Sequence, residues 1–157
     1  MKTNNLFTKE ELLMHWQGHR TLTRKTIEKF PEKELFDFSI GGMRTFAELV
    51  KEIITIAQPG LDGIVHNKIE KYNHNLPINT KAELLQRWDE DTPKITDLFN
   101  QIPIERFDEE FNLFGEFKFP IKDNILYFID NEIHHRGQGF VYLRALGIEP
   151  PFFWDRY

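Results

Sequence analysis

Between residues 131 and 138 the chain reads Asn131-Glu132-Ile133-His134-His135-Arg136-Gly137-Gln138, and Tyr142-Leu143-Arg144 and Gly147-Ile148-Glu149-Pro150-Pro151 follow it. On a helix Asn131 and His135 stand one turn apart, so their donor atoms fall on one face and can meet a single ligand. That spacing suits metal binding or acid–base chemistry. Asparagine is a far weaker metal ligand than histidine, so His135 is the stronger donor of the two. His15 and His19 are also four residues apart and could present two ligands. Glu52 lies three residues after Leu49 and four before Ile56, on the flank of an apolar stripe. Each has an ordinary alternative: a packed core histidine for His135, a surface carboxylate for Glu52, packing beside Trp16 for His19. His134 points about a quarter turn from His135, so the two rings cannot face one site. It is expected at a helix–helix or dimer contact, with Arg136 and Gln138 tying the last helix to neighbouring loops.

The composition narrows the chemistry. None of the 157 residues is cysteine, which excludes disulfides, thiolate zinc sites and cysteine nucleophiles and leaves nitrogen and oxygen donors for any metal. The formal net charge is -5, with Lys and Arg scattered, so no nucleic-acid partner is expected. Met1-Lys2-Thr3-Asn4-Asn5 leads into a charged segment with no apolar signal region, and no long apolar run follows. A soluble, cytoplasmic protein without a membrane partner is the expectation. The length suits one domain over 1–157. No nucleotide loop or cofactor fingerprint names a small-molecule substrate.

Positioning these residues falls to helices. Thr8 with Glu11, Thr45 with Glu48 and Thr80 with Glu83 repeat one pattern, in which the threonine hydroxyl caps a backbone N–H and the glutamate reaches back to the cap. Each predicts a helix start. The first helix is expected from Lys9 to Phe30, stopped by Pro31. The second runs from about Met43 to Asn67 through Phe46, Leu49, Val50, Ile53, Ala57, Leu61 and Ile64, with a kink or break at Pro59. After the polar loop Asn73 to Asn79 comes a third, with Leu84, Leu85, Trp88, Ile95 and Leu98, kinked at Pro93 and ending near Ile102-Pro103. Phe107 to Pro120 alternates aromatics and charges too irregularly for a helix and is read as a phenylalanine-packed loop with a short extended stretch. The fourth helix spans about Pro120 to Leu146, capped by Gly147, and its apolar residues on almost every side place it inside a bundle. Phe152-Phe153-Trp154 and Tyr157 are expected to cover the open end. The fold class that follows is all-α, an antiparallel or cross-connected four-helix bundle.

His134-His135-Arg136-Gly137-Gln138, Tyr142-Leu143-Arg144-Ala145-Leu146-Gly147 and Pro150-Pro151, supported by Thr45-Phe46-Ala47-Glu48-Leu49-Val50 and the helix order, resemble the DinB-like family, the DinB/YfiT-type metalloenzymes. The resemblance implies three histidines around a divalent metal, and the corresponding positions here are Glu52, Asn131 and His135. It further implies a divalent cofactor such as zinc, nickel or manganese, thiol S-transferase or hydrolase chemistry on a small molecule, and a homodimer. In that chemistry the metal lowers the pKa of a bound thiol or water. With one histidine of three, the expected retention is weak. The alternative is a metal-free member that binds a small molecule or acts as a dimeric interaction module, with Glu52 and His135 left as an acid–base pair.

Overall fold

The computed structural model describes residues 6–157; Met1–Asn5, where the absence of a leader was read, lies outside the described residues. All three predicted capping boxes form. Thr8 opens α1 (Lys9–Lys29), Thr45 opens α3 (Phe46–His66) and Thr80 opens α4 (Lys81–Gln101), each with reciprocal hydrogen bonds to the glutamate three residues on. Pro31 ends α1 and also starts a short helix that the sequence reading missed, α2 (Glu32–Asp37). α3 runs through Pro59 without a break, so of the two alternatives there the interruption does not occur, and α4 runs on through Pro93.

The segment read as a loop is more ordered than expected. A 3-10 turn over Ile104–Asp108 leads into β1 (Glu110–Leu113), which pairs antiparallel with β2 (Phe117–Pro120). Phe114 and Gly115 turn the chain between them with φ of 57° and 79°, a left-handed conformation that glycine adopts without cost and phenylalanine does not. Phe111, Leu113 and Phe114 then point into the core. The final helix, α5 (Ile121–Ala145), ends as predicted. Gly147 takes φ 73° and donates to Arg144 O, while Ile148 N donates to Leu143 O.

The four long helices form a ring in which α1 and α3 each touch both α4 and α5. Two apolar clusters fill it, one with Trp16, Leu61, Phe99 and Phe128, the other with Ile27, Val50, Leu84 and Tyr142. Chain direction follows from the order in which each helix visits them. α1 and α5 run from the first cluster to the second, whereas α3 and α4 run from the second to the first. The bundle is therefore cross-connected: α3 and α4 are parallel, and residues 67–80 must return along α3 to start α4.

α5 is not buried all round. Ile125, Phe128, Ile129, Glu132, Arg136, Gly139 and Leu143 face inward at steps of three and four, while Leu126, Ile133 and Val141 are exposed. The apolar count along this helix misled because it ignored phase; the buried stripe holds a glutamate and an arginine. The aromatic tail also departs from its expected place. Phe152 stacks on Trp154 and Phe153 meets Trp154 edge-on, all three largely in solvent, and Tyr157 lies against Gly18 of α1 rather than over the end of the bundle. No described helix is long and apolar enough to cross a membrane.

Candidate functional site

Glu52 on α3 and His135 on α5 meet across the antiparallel α3–α5 contact, with His135 Nε2 3.0 Å from Glu52 Oε1. Close packing sets their approach, because Gly139 leaves no room for a Cβ against the Phe46 ring. The tautomer is set by Gln138: His135 Nδ1 lies 2.8 Å from its Oε1, and an amide oxygen only accepts. The ring thus bridges Gln138 on its own helix and Glu52 on α3. Gln138 in turn reaches Met43 in the loop ahead of α3.

The second oxygen of Glu52 accepts from Arg44 Nη1. Arg44 belongs to the same loop, and its carbonyl accepts 2.8 Å from the Tyr142 hydroxyl on α5. Burial alone would raise the Glu52 carboxyl, but the hydrogen bonds and charges of His135 and Arg44 outweigh it and hold the group below its ordinary value. Asn131, one turn before His135, is 9% exposed, and its Nδ2 is buried without a partner. Tyr127, one turn earlier again, has its phenol pushed up by burial first, then by the charge of Glu52 and by Tyr72, so it stays a donor.

The bundle thus brings Glu52 and His135 together, with Asn131 one turn before His135 on α5. Their chemistry does not suit a divalent ion. Both oxygens of the one anionic donor are already engaged, by Arg44 and by His135, the Arg44 guanidinium would repel an incoming cation, and the third donor is a neutral amide. Among the described residues no three His, Asp or Glu side chains are grouped closely enough to hold a metal.

His15 and His19 approach each other closely, Nε2 to Nε2 at 3.2 Å. Their surroundings are cationic. Arg136 Nη2 lies 2.9 Å from His19 Nδ1, and Arg156 Nη1 lies 3.2 Å from His19 Nε2. Burial first, then Arg136, His15 and Arg156, drive His19 down to about 3, so it is neutral and accepts from Arg136. Arg136 also donates to His19 O and Thr23 Oγ1, tying α5 to α1 rather than to a loop. His134 is exposed within the chain, its ring tilted beside that of His135 with centroids 5.2 Å apart.

The reading of the sequence missed three residues of consequence. Glu132 is fully buried, accepting from Thr23 Oγ1 at 2.6 Å and Trp16 Nε1 at 3.4 Å, with Arg20 at 4.0 Å. Burial raises its carboxyl, against the pull of Arg20, Thr23 and Arg136. Arg20 stacks over Trp88 at 3.8 Å and donates to Trp88 O and Thr92. A phase count would have found Glu132, four after Phe128 and seven before Gly139. Nothing local marked Arg44, which lies eight residues from its partner.

The profile of the DinB family matches residues 1–155. A curated relative, the uncharacterized protein YjoA of Bacillus subtilis (strain 168), is 27% identical over 157 residues, covering 93% of this chain and 96% of its own length. The solved structure of YjoA, described as a DinB-like protein, superposes with a TM-score of 0.72 at 24% identity, covering 94% of this chain and 99% of that one. A DinB-like protein from Bacillus cereus ATCC 10987 gives a TM-score of 0.74 at 19% identity, covering 91% and 95%.

Proposed function

The chain belongs to the DinB family, and from that premise we propose that it is a metal-free member whose α3–α5 face binds a small amide-bearing molecule. One observation carries the proposal: Glu52, the only anionic donor of the three, spends both oxygens on Arg44 and His135. The positive charge that a divalent ion would bring is already supplied from within the chain. What the face leaves to offer is hydrogen-bond donors, the orphaned Asn131 Nδ2 and the Tyr127 hydroxyl, which suit a carbonyl acceptor. Glu52 holds the His135 ring beside them, and Gln138 keeps that ring from turning. Homodimer formation belongs to the same proposal and is read from light scattering on the purified protein.

The deciding experiment is elemental analysis of protein purified without a histidine tag, followed by calorimetric titration with zinc, nickel and manganese. Well under one equivalent of weakly held metal is expected. A full equivalent of tightly held metal, lost on Glu52→Ala or His135→Ala, overturns the proposal in favour of the second reading, a divalent-metal thiol S-transferase or hydrolase liganded by Glu52, Asn131 and His135.

A further inference from the structure

The hairpin carries two aromatic side chains that the core does not absorb. In the β1–β2 ladder Phe119 pairs with Phe111 and Phe117 with Leu113, and directly opposed residues of an antiparallel pair share one face of the sheet. Phe111 and Leu113 are buried on that face. Phe117 and Phe119 stand on the same side and yet remain 41% and 53% exposed. The outer strand therefore overhangs the bundle instead of closing on it. On the first turns of α5, Asp123 and Tyr127 are one helical turn apart and share a helix face. The space between strand and helix is a cavity of about 300 Å³, lined by Leu113, Phe117, Phe119, Asp123, Asn124 and Tyr127.

Each lining group bears on what can fill this space. Asn124 Nδ2 donates to Phe111 O and to Phe119 O, at 3.3 Å each, so the helix holds both strands in place and its amide hydrogens are taken. Three of the other five residues are aromatic and one is aliphatic. Asp123 is the one charged residue in the lining, and among the described residues no cation lies within ion-pair distance of it. The nearby lysines are engaged elsewhere: Lys122 Nζ lies 2.5 Å from Asp108 Oδ1, and Lys118 Nζ lies 3.2 Å from Glu110 Oε2. A carboxylate without a basic neighbour repels anions. Aromatic rings beside it attract an ammonium group through their electron-rich faces, and they do so best when methyl groups have replaced its hydrogens and weakened its hydration. Room is sufficient, since a cavity of about 150 Å³ already accepts a benzene ring.

We propose that this cavity is a second ligand site that takes a small free organic cation, an alkylammonium of about the size of choline, among Phe117, Phe119 and Tyr127 with Asp123 as its counterion. Tyr127 also serves the α3–α5 face, so the test leaves it intact. Choline and its uncharged carbon isostere 3,3-dimethylbutan-1-ol are titrated into the full chain at low salt and followed by ¹⁵N–¹H NMR at the Leu113, Asp123 and Asn124 amides. Saturable shifts centred on these residues are expected, with choline bound about tenfold more tightly than the isostere. Added salt should weaken choline and leave the isostere unchanged. Asp123→Asn should remove most of the preference, and Phe119→Leu should lower choline affinity about threefold. Both side chains are exposed, and amide spectra unchanged away from the cavity show that the variants fold. The comparison of the two probes on the wild type stands by itself if either variant does not. Choline binding no tighter than the isostere, no saturable shift, or a preference that survives Asp123→Asn would overturn the proposal. So would choline-sensitive sedimentation with phosphatidylcholine vesicles, which would assign the cavity to a lipid headgroup rather than a free solute. None of these outcomes bears on the metal content of the Glu52–His135 site.

Discussion

Arg136 Nη2 donates to His19 Nδ1 across 2.9 Å, joining α5 to α1 through a histidine that has to be neutral to accept. The bond therefore carries a pH dependence whose sign is fixed. His19 falls from 6.5 to about 3 on folding, because burial and then Arg136 disfavour its charged form. Between those values the unfolded chain binds the extra proton, so stability is complete above about pH 6.5 and is lost as pH falls toward 3, by up to about 1.4 kcal/mol per pH unit. Thermal melts of wild type and His19→Gln over that range should diverge, the wild type losing more on acidification. Parallel pH profiles for the two would sink the assignment.

Glu132 is the buried carboxyl that Arg20, Thr23 and Trp16 surround. Removing it leaves arginine charge without a buried counterpart, which costs about 3–5 kcal/mol. Glu132→Ala should lower the urea midpoint by that amount, and Glu132→Ala combined with Arg20→Met should cost less than the sum of the single changes. Strict additivity would mean that the two groups are not coupled.

Two glycines of one helix should respond in opposite directions. A Cβ on Gly139 would lie 2.4 Å from Phe46 Cε2, whereas one on Gly137 meets nothing within 4 Å. Gly139→Ala is expected to destabilise by about 1–3 kcal/mol through overpacking. Gly137→Ala should stabilise by about 0.5–1 kcal/mol, since the helix gains backbone restriction in open space. Denaturant titration of both variants reads the difference directly.

Arg44 is the charge that stands against a metal at Glu52. Arg44→Ala should raise zinc affinity on the order of tenfold in calorimetric titration, because a like charge within hydrogen-bond reach of the carboxylate is removed. Unchanged affinity would show that the guanidinium is not what disfavours the ion.

Helix starts were readable because a capping box is local: Thr45 and Glu48 satisfy each other whatever the rest of the chain does. The same holds for the Gly147 stop. Glu52 and His135 could be brought together by pattern alone, since each keeps a fixed phase on its helix. What stayed hidden depends on distant partners. Glu132 looks like any surface glutamate until α1 supplies Thr23 and Trp16, and the hairpin exists because Phe111 and Leu113 find α3, not because their own sequence alternates cleanly.

The parallel placement of α1 and α5 also bears on how the chain reaches its fold. The bonds that close this seam, Thr23 to Glu132 and Arg136 to His19, join residues 109 and 117 positions apart. The inner face of α1 therefore waits, uncovered by its partner, until nearly the whole polypeptide has been synthesised. Assembly is bound to be late and non-local, and the search for this closure is the step on which the folding rate should depend.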